Sequence, residues 1–263
     1  MEELEFREFK LKYPFRDLTR INDIGNAIIY KVSPTVAVKE IDRDDEFADS
    51  EIKIHRFLSK IIGENVITKF YDSCVTPKNV YIAMEYCKFG SLYNFMVDFS
   101  EDGFQHLSFN DFAEILIEML CCIDCLHKNN VVHRDIKPDN YLISDEGVIK
   151  LCDFGFACKA DNIEKVYCGT IDYIAPEIIN YHRFLKVGES FAGKPADVWA
   201  FGISAYELAY GQTPWDEKGI CSIDEVMKEI RNLGIKKNGP AYFELPQTPR
   251  TILVLLSVFI AVS

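Results

Sequence analysis

His133-Arg134-Asp135-Ile136-Lys137-Pro138-Asp139-Asn140 places an acid, two bases and an amide within eight residues, between two apolar runs. That is the layout of a catalytic loop. Working outward, Asp153-Phe154-Gly155 stands thirteen residues beyond Asn140, and Lys39 closes the strand-like run Val36-Ala37-Val38-Lys39 upstream. Gly169-Thr170 opens a segment that reaches Ala175-Pro176-Glu177, and Asp197-Val198-Trp199-Ala200-Phe201-Gly202 begins a strongly apolar run. The order and spacing of these elements carry the information, because any one of them alone is weak.

Composition bounds the answer more loosely. With 263 residues and 48% hydrophobic content the chain fills one large domain or two lobes, which excludes a disordered reading. Nine cysteines, an odd number without paired spacing, point to free thiols in a reducing compartment and give a zinc site no CxxC support. The net charge of -12, from 29 basic and 41 acidic residues, argues against binding a phosphate backbone. It is read equally as favouring basic partners or as keeping the domain soluble.

In this order HRDxKxxN, DFG, AxK, GTxxYxAPE and DVWAFG make the chain resemble the protein kinase family. The resemblance implies an α+β, two-lobed fold. A small β-rich N-lobe over 21–86 precedes a hinge and a larger, mainly α-helical C-lobe over 87–263, with an N-terminal flank over 1–20. That flank mixes charges with Phe6, Phe9, Tyr13 and Phe15, and reads either as an amphipathic piece packed on the first lobe or as a loose terminus.

A hydroxyl that attacks a γ-phosphoryl group must be held in line and must lose its proton, so a carboxylate within hydrogen-bond reach suits the task. Asp135 is the candidate base. By resemblance Lys137 neutralises charge on the transferring group, and Asn140 and Asp153 offer oxygens to Mg²⁺, a hard cation. Lys39 bridges the α- and β-phosphates of ATP and pairs with Glu51, with Glu46 as the less well placed rival. Ile54, Phe57, Leu58 and Ile61 supply the buried face of the helix that carries Glu51. His55 stands where the family usually has an apolar residue; it reads either as loosening the packing toward Phe154 or as a satisfied packing histidine.

For the nucleotide, the resemblance points to Ile24, Gly25 and Val32 around the covering loop, and to Ala37 and Leu142 on the two faces of adenine. It also points to the carbonyl of Glu85 and the amide of Cys87 at the hinge, behind Met84. The covering loop departs from the family's G-x-G-x-x-G-x-V, because only Gly25 is present. Two registers fit. In one, Ala27 and Tyr30 occupy the second and third glycine positions, so that Ala27→Gly should strengthen ATP binding or turnover; in the other, Ile29-Tyr30-Lys31 is the following strand and the turn is shortened. Cys152 is expected beside the nucleotide.

Val66–Ser73 and Val80–Tyr86 read as strands, and Phe112, Ile115, Leu116, Met119, Leu120, Ile123 and Leu126 as a helix for which Asn110 is a plausible start. Cys121, Cys122 and Cys125 read as packing residues rather than ligands. By resemblance Thr170 orients the catalytic loop, Asp197 holds its backbone, and Lys137 with Thr170 marks the serine/threonine class. The activation segment contains no serine, and its CGTxDY wording is similar to the aurora, polo and basic-directed groups. Ordering through Asp161 or Glu164, control by an activating partner protein, and phosphorylation at Tyr167 stay equally open. Asn180–Pro195 reads as a long connector, the apolar run continues through Ala209, and Ile223–Leu233 is a further helix. Beyond Leu233 the resemblance thins and the C-terminal end reads as truncated or atypical. Ile252–Val262, eleven residues against the ~17 to 25 of a membrane span, is either a displaced core helix or a foreign tail.

The expected function is ATP-dependent phosphorylation of Ser or Thr in protein substrates, in the cytoplasm or nucleus, with no nucleic acid or membrane partner. Asp139, Glu101 and Asp102 suggest basic residues upstream of the acceptor. A pseudokinase scaffold is the alternative, and a kinase for small molecules is a third option.

Overall fold

A computed structural model describes residues 2–14, 20–24, 27–63, 65–98, 109–163, 167–179, 193–215 and 224–228. Gly25, Glu101, Asp102, Glu164, most of the 180–195 connector, the ends of the 223–233 helix and the 252–262 stretch lie outside the described residues. The chain forms two compact bodies, Met1–Leu92 with Tyr141–Ala157, and Tyr93–Asn140 with Cys158–Ser263.

In the first body, five strands form an antiparallel sheet: β1 (Arg20–Ile24), β2 (Ala27–Lys31), β3 (Val36–Asp42), β4 (Phe70–Val75) and β5 (Asn79–Glu85), in the order β1-β2-β3-β5-β4. Alternation along β3 divides its neighbours between two faces. Val38 packs with Cys74, Tyr81 and Ala83 against Phe9 and Tyr13 of the N-terminal flank. Ile41 packs with Val80 and Ile82 against Ala48 and Ile52 of helix α2 (Ala48–Ile61) on the other face.

The flank is therefore the packed alternative of the two. Its helix α1 (Glu2–Lys12) also stacks Phe6 on Tyr81 at 4.9 Å, and Lys12 pairs with Asp72 at 2.8 Å.

Helix α2 starts with Asp49 and Glu51 in its first turn and carries Lys60 in its last, as the helix dipole favours. Of the face the hydrophobic spacing marked, Ile54 and Leu58 are buried and Phe57 is half-buried, while Ile61 is exposed; Ala48, Glu51, Ile52 and His55 complete the buried face. Hydrogen-bonded polar side chains bring Glu51 and His55 inside, and the last turn runs out past the sheet.

The strand expected from Val66 begins only at Phe70, and Ile67 instead makes a single bridge to Leu151. The short strands β7 (Tyr141–Ile143) and β8 (Ile149–Leu151) pair antiparallel within this body.

The second body contains most of α3 (Leu92–Asp98), then α4 (Phe109–Lys128), β6 (Val131–Val132), β9 (Cys158–Lys159), α5 (Pro176–Ile179) and α6 (Gly193–Tyr210). Leu116, Met119, Cys122, Ile123 and Leu126 make the buried stripe of α4 at helical spacing. Cys121 is exposed. Asn110 lies inside the first turn of α4 rather than at its cap.

Helix α6 starts at Gly193, four residues before the expected Asp197, and takes Pro195 into its first turn, where a missing N–H costs nothing. It is buried along nearly its whole length, as a helix apolar on all sides must be. A Cβ on Gly193 would come within 2.8 Å of Ile163 Cδ1 and 3.1 Å of the Val132 methyls, so a larger residue there would make these side chains shift. The molecule is thus sheet-rich in its N-terminal part and helical in its C-terminal part.

Candidate active site

The first body holds a largely buried charge cluster built from three separate elements. Lys39 on β3 donates to Oε1 of Glu51 on α2 at 2.6 Å and to Oδ1 of Asp153 at 2.8 Å. Burial alone would lower the lysine pKa, but the two carboxylates reverse that and hold it above the usual range. The same burial pushes Glu51 up to about 7 against the pull of Lys39. Of the two candidate glutamates, Glu51 is the one that pairs with Lys39.

Asp153 sits at φ 60, a left-handed backbone that turns its carboxylate to Lys39. Phe154 beside it is fully buried and lies 4.8 Å from the His55 ring. His55 bonds the carbonyl oxygen of Thr68 through Nε2 at 2.7 Å, and burial lowers its pKa to about 4. Of the two readings of His55 the satisfied one holds: it is neutral, anchored and packed.

The second body holds a cluster drawn mostly from one loop. The Asp135 carboxylate accepts from the Thr170 amide at 2.9 Å, the Thr170 hydroxyl at 2.8 Å and Asn140 Nδ2 at 3.0 Å. Lys137 Nζ lies 3.1 Å from its other side and donates to Thr170 Oγ1 at 2.7 Å. Asp197, buried at the start of α6, accepts the backbone amides of His133 at 2.9 Å and Arg134 at 2.8 Å. His127 donates to the same carboxylate at 2.9 Å.

Arg134 is left-handed at φ 68, and Gly169 at φ 96 lies so close to the Arg134 carbonyl that any Cβ would collide with it. Tyr173 donates to Glu207, and Trp215 Nε1 to the carbonyl of Asp172 at 2.8 Å, which pins the segment after Thr170 onto the helices.

The base-holding candidates fall in the first body. Ala37 and Met84 are cross-strand partners on β3 and β5, and Cys87 is buried just after β5. Leu142 lies on β7, and Val32 follows β2. Ile24 closes the β1–β2 ladder against Ala27, which leaves two residues, Gly25 and Asn26, between the strands. The shortened register is therefore the correct one. Ala27 is not at a loop tip: it is a buried strand residue in the core with Ile41 and Ile52, so Ala27→Gly removes packing instead of opening room for phosphate.

Burial pushes the Cys152 thiol well above its usual range, so little reactive thiolate exists there. Sequence reasoning missed Lys150, which is buried on β8 and paired with Glu85 at 2.5 Å. A lysine in a three-residue strand carries no local signal of its partner.

Each body by itself offers a hard oxygen of the kind Mg²⁺ prefers: in the second, Asn140 turns its amide nitrogen to Asp135, which leaves its carbonyl oxygen, and in the first, Asp153 carries a carboxylate.

Together the two clusters carry every polar group of the phosphoryl-transfer template. The family model for the protein kinase domain matches residues 24–259, and the chain belongs to the protein kinase family. The match runs past Leu233, where recognisable motifs end.

Among curated relatives, the chain is 33% identical over 206 residues to the serine/threonine protein kinase OSK3 of Oryza sativa subsp. japonica, covering 78% of this chain and 37% of that protein. It is 31% identical over 196 residues to the SNF1-like protein kinase ssp2 of Schizosaccharomyces pombe, covering 73% and 32%. It is 35% identical over 174 residues to the Aurora kinase of Saccharomyces cerevisiae, covering 65% and 42%. The matches thus take in less than half the length of each of these relatives.

Proposed function

We propose that this chain is an active protein serine/threonine kinase that transfers the γ-phosphoryl group of ATP. The observation that carries the reading is the Asp135 carboxylate, buried yet held by Thr170, Asn140 and Lys137 at 2.8 to 3.1 Å. A base held this way meets a substrate hydroxyl without reorganising. The hydroxyl oxygen bonds to the γ-phosphorus, its proton passes to Asp135, and the bond to the β–γ bridging oxygen breaks to release ADP. Lys137 faces the charge that develops on the transferring group. Lys39, fixed by Glu51, holds the α- and β-phosphates. Bound Mg²⁺ ions would neutralise phosphate charge, and Asp153 in the first body and Asn140 in the second each offer an oxygen for such an ion.

Protein substrates are expected to carry Arg or Lys upstream of the acceptor, because Asp139 is exposed beside the base. Such a charge-assisted contact is worth roughly 1.5 to 3 kcal/mol. Control by an activating partner protein and an intracellular location complete the reading. Tyr167 as the one hydroxyl between Asp153 and Gly169 motivates the first, and the free thiols of the described residues support the second.

Transfer of labelled phosphate from ATP to a degenerate peptide library, with the natural chain beside Asp135→Ala, tests this. Transfer only by the natural chain, with Arg favoured upstream, supports it; equal signals sink it. The short β1–β2 connection favours a second reading, a scaffold without efficient turnover, and the same assay separates the two.

A further inference from the structure

Lys150 is only 5% exposed, and among the described residues the carboxylate it pairs with is that of Glu85. Glu85 is unusually constrained. Its amide donates to the Lys69 carbonyl at 2.9 Å, its Oε2 accepts the Lys69 amide at 3.0 Å, and its Oε1 accepts Lys150 Nζ at 2.5 Å. The next residue is fixed as well: the Tyr86 amide donates to Thr35 at 3.0 Å, and Lys31 lies 4.2 Å over the Tyr86 ring. On the other side, Leu151 donates to Val66 at 2.9 Å and accepts from Thr68 at 3.0 Å, after which the chain runs straight into Cys152 and Asp153.

A single ion pair therefore joins the segment that ends β5 to the strand that delivers Asp153. Stability does not explain why a charged lysine is kept here. A buried ion pair costs desolvation, and apolar replacement of both partners is often neutral or stabilising. The stem of Lys150 would be filled as well by methionine.

We infer that Lys150 is a positioning residue for the nucleotide. Through the Glu85 carboxylate it sets the place of the Glu85 carbonyl and Cys87 amide, the base-holding groups, relative to Asp153 at the phosphate end. The inference rests on the kinase reading above, and it predicts a split between substrates: nucleotide affinity depends on Lys150, while peptide affinity and the chemical step do not.

The test is the double variant Lys150→Met with Glu85→Gln, which leaves no buried charge unpaired and keeps an acceptor for the Lys69 amide. Its melting temperature should stay close to that of the natural chain, while KM for ATP rises about tenfold and kcat and KM for peptide change less than about twofold. Lys150→Arg, which keeps the ion pair, should restore KM for ATP to within about threefold. Calorimetric titration with Mg-ATP reads the same shift without turnover.

A double variant that binds Mg-ATP as tightly as the natural chain overturns the inference and leaves the kinase reading standing. A parallel rise of KM for ATP and for peptide also overturns it, because that is general loosening. A natural chain that binds Mg-ATP normally but transfers no phosphate sinks the kinase reading while the binding shift still decides the role of Lys150. A natural chain that binds no nucleotide removes both.

Discussion

The two charged clusters solve one problem in opposite ways. In the first body Lys39, Glu51 and Asp153 come from a strand, a helix and a turn, and they meet only because α2 packs on the sheet. In the second, Asp135, Lys137 and Asn140 lie within one loop, with Thr170 brought to them and Asp197 fastening the backbone beneath. A cluster assembled across elements is only as secure as their packing, and can be taken apart by moving one of them. A cluster written into one loop survives such movement and fails only when its own bonds are cut.

The largest effect should come from Asp135→Asn and Lys39→Met, each lowering kcat by about a thousandfold or more, measured by phosphate transfer to peptide. Their stabilities should differ. Asparagine keeps most partners of Asp135, whereas Lys39→Met leaves the buried Glu51 and the half-buried Asp153 without their cation, at a cost of about 3 kcal/mol in urea unfolding. Equal stability losses would erase the proposed contrast.

Asp197→Ala attacks the second cluster from below. It strips one carboxylate from two backbone amides and His127, and stability should drop by about 3 kcal/mol. A loss below about 1 kcal/mol would show that the loop holds itself without Asp197.

Acid should strike the first body through His55. Burial holds its pKa near 4 against an ordinary 6.5, so the neutral ring is the folded form. Its contribution is whole above pH 6.5 and is lost as pH falls toward 4, and the loss amounts to about 3 kcal/mol once both values are passed. His55→Leu should flatten the unfolding profile over that window. Parallel profiles for the two proteins would place the acid sensitivity elsewhere.

The smallest effect is expected of Ala27→Gly, a loss of about 1 kcal/mol in stability with no gain in affinity for ATP. An improved KM for ATP would mean that the β1–β2 ladder opens when nucleotide binds.

The same contrast explains what the sequence disclosed. The second cluster was legible because its members are neighbours along the chain, and their spacing alone brings them together. The first was legible only through the order of its motifs, since nothing local in Lys39 or Glu51 names the partner. Hydrophobic spacing marked Ile61 as buried and passed over His55, because it cannot register that a carbonyl such as that of Thr68 makes a buried imidazole acceptable. The glycine-loop register stayed open until pairing of Ile24 with Ala27 decided it, and Lys150 was silent because its meaning lies in a residue on another strand.

Arg134 and Asp153, one in each body, sit in left-handed backbone without being glycine, which costs roughly 1 to 2 kcal/mol apiece. A search for more stable variants that scores folding alone would therefore be drawn to Arg134→Gly and Asp153→Gly. Both would relieve strain, and both would be dead ends. The tension is stored beside the base in one body and in the proposed metal ligand of the other, so at these two positions selection for heat resistance and selection for turnover pull the chain in opposite directions.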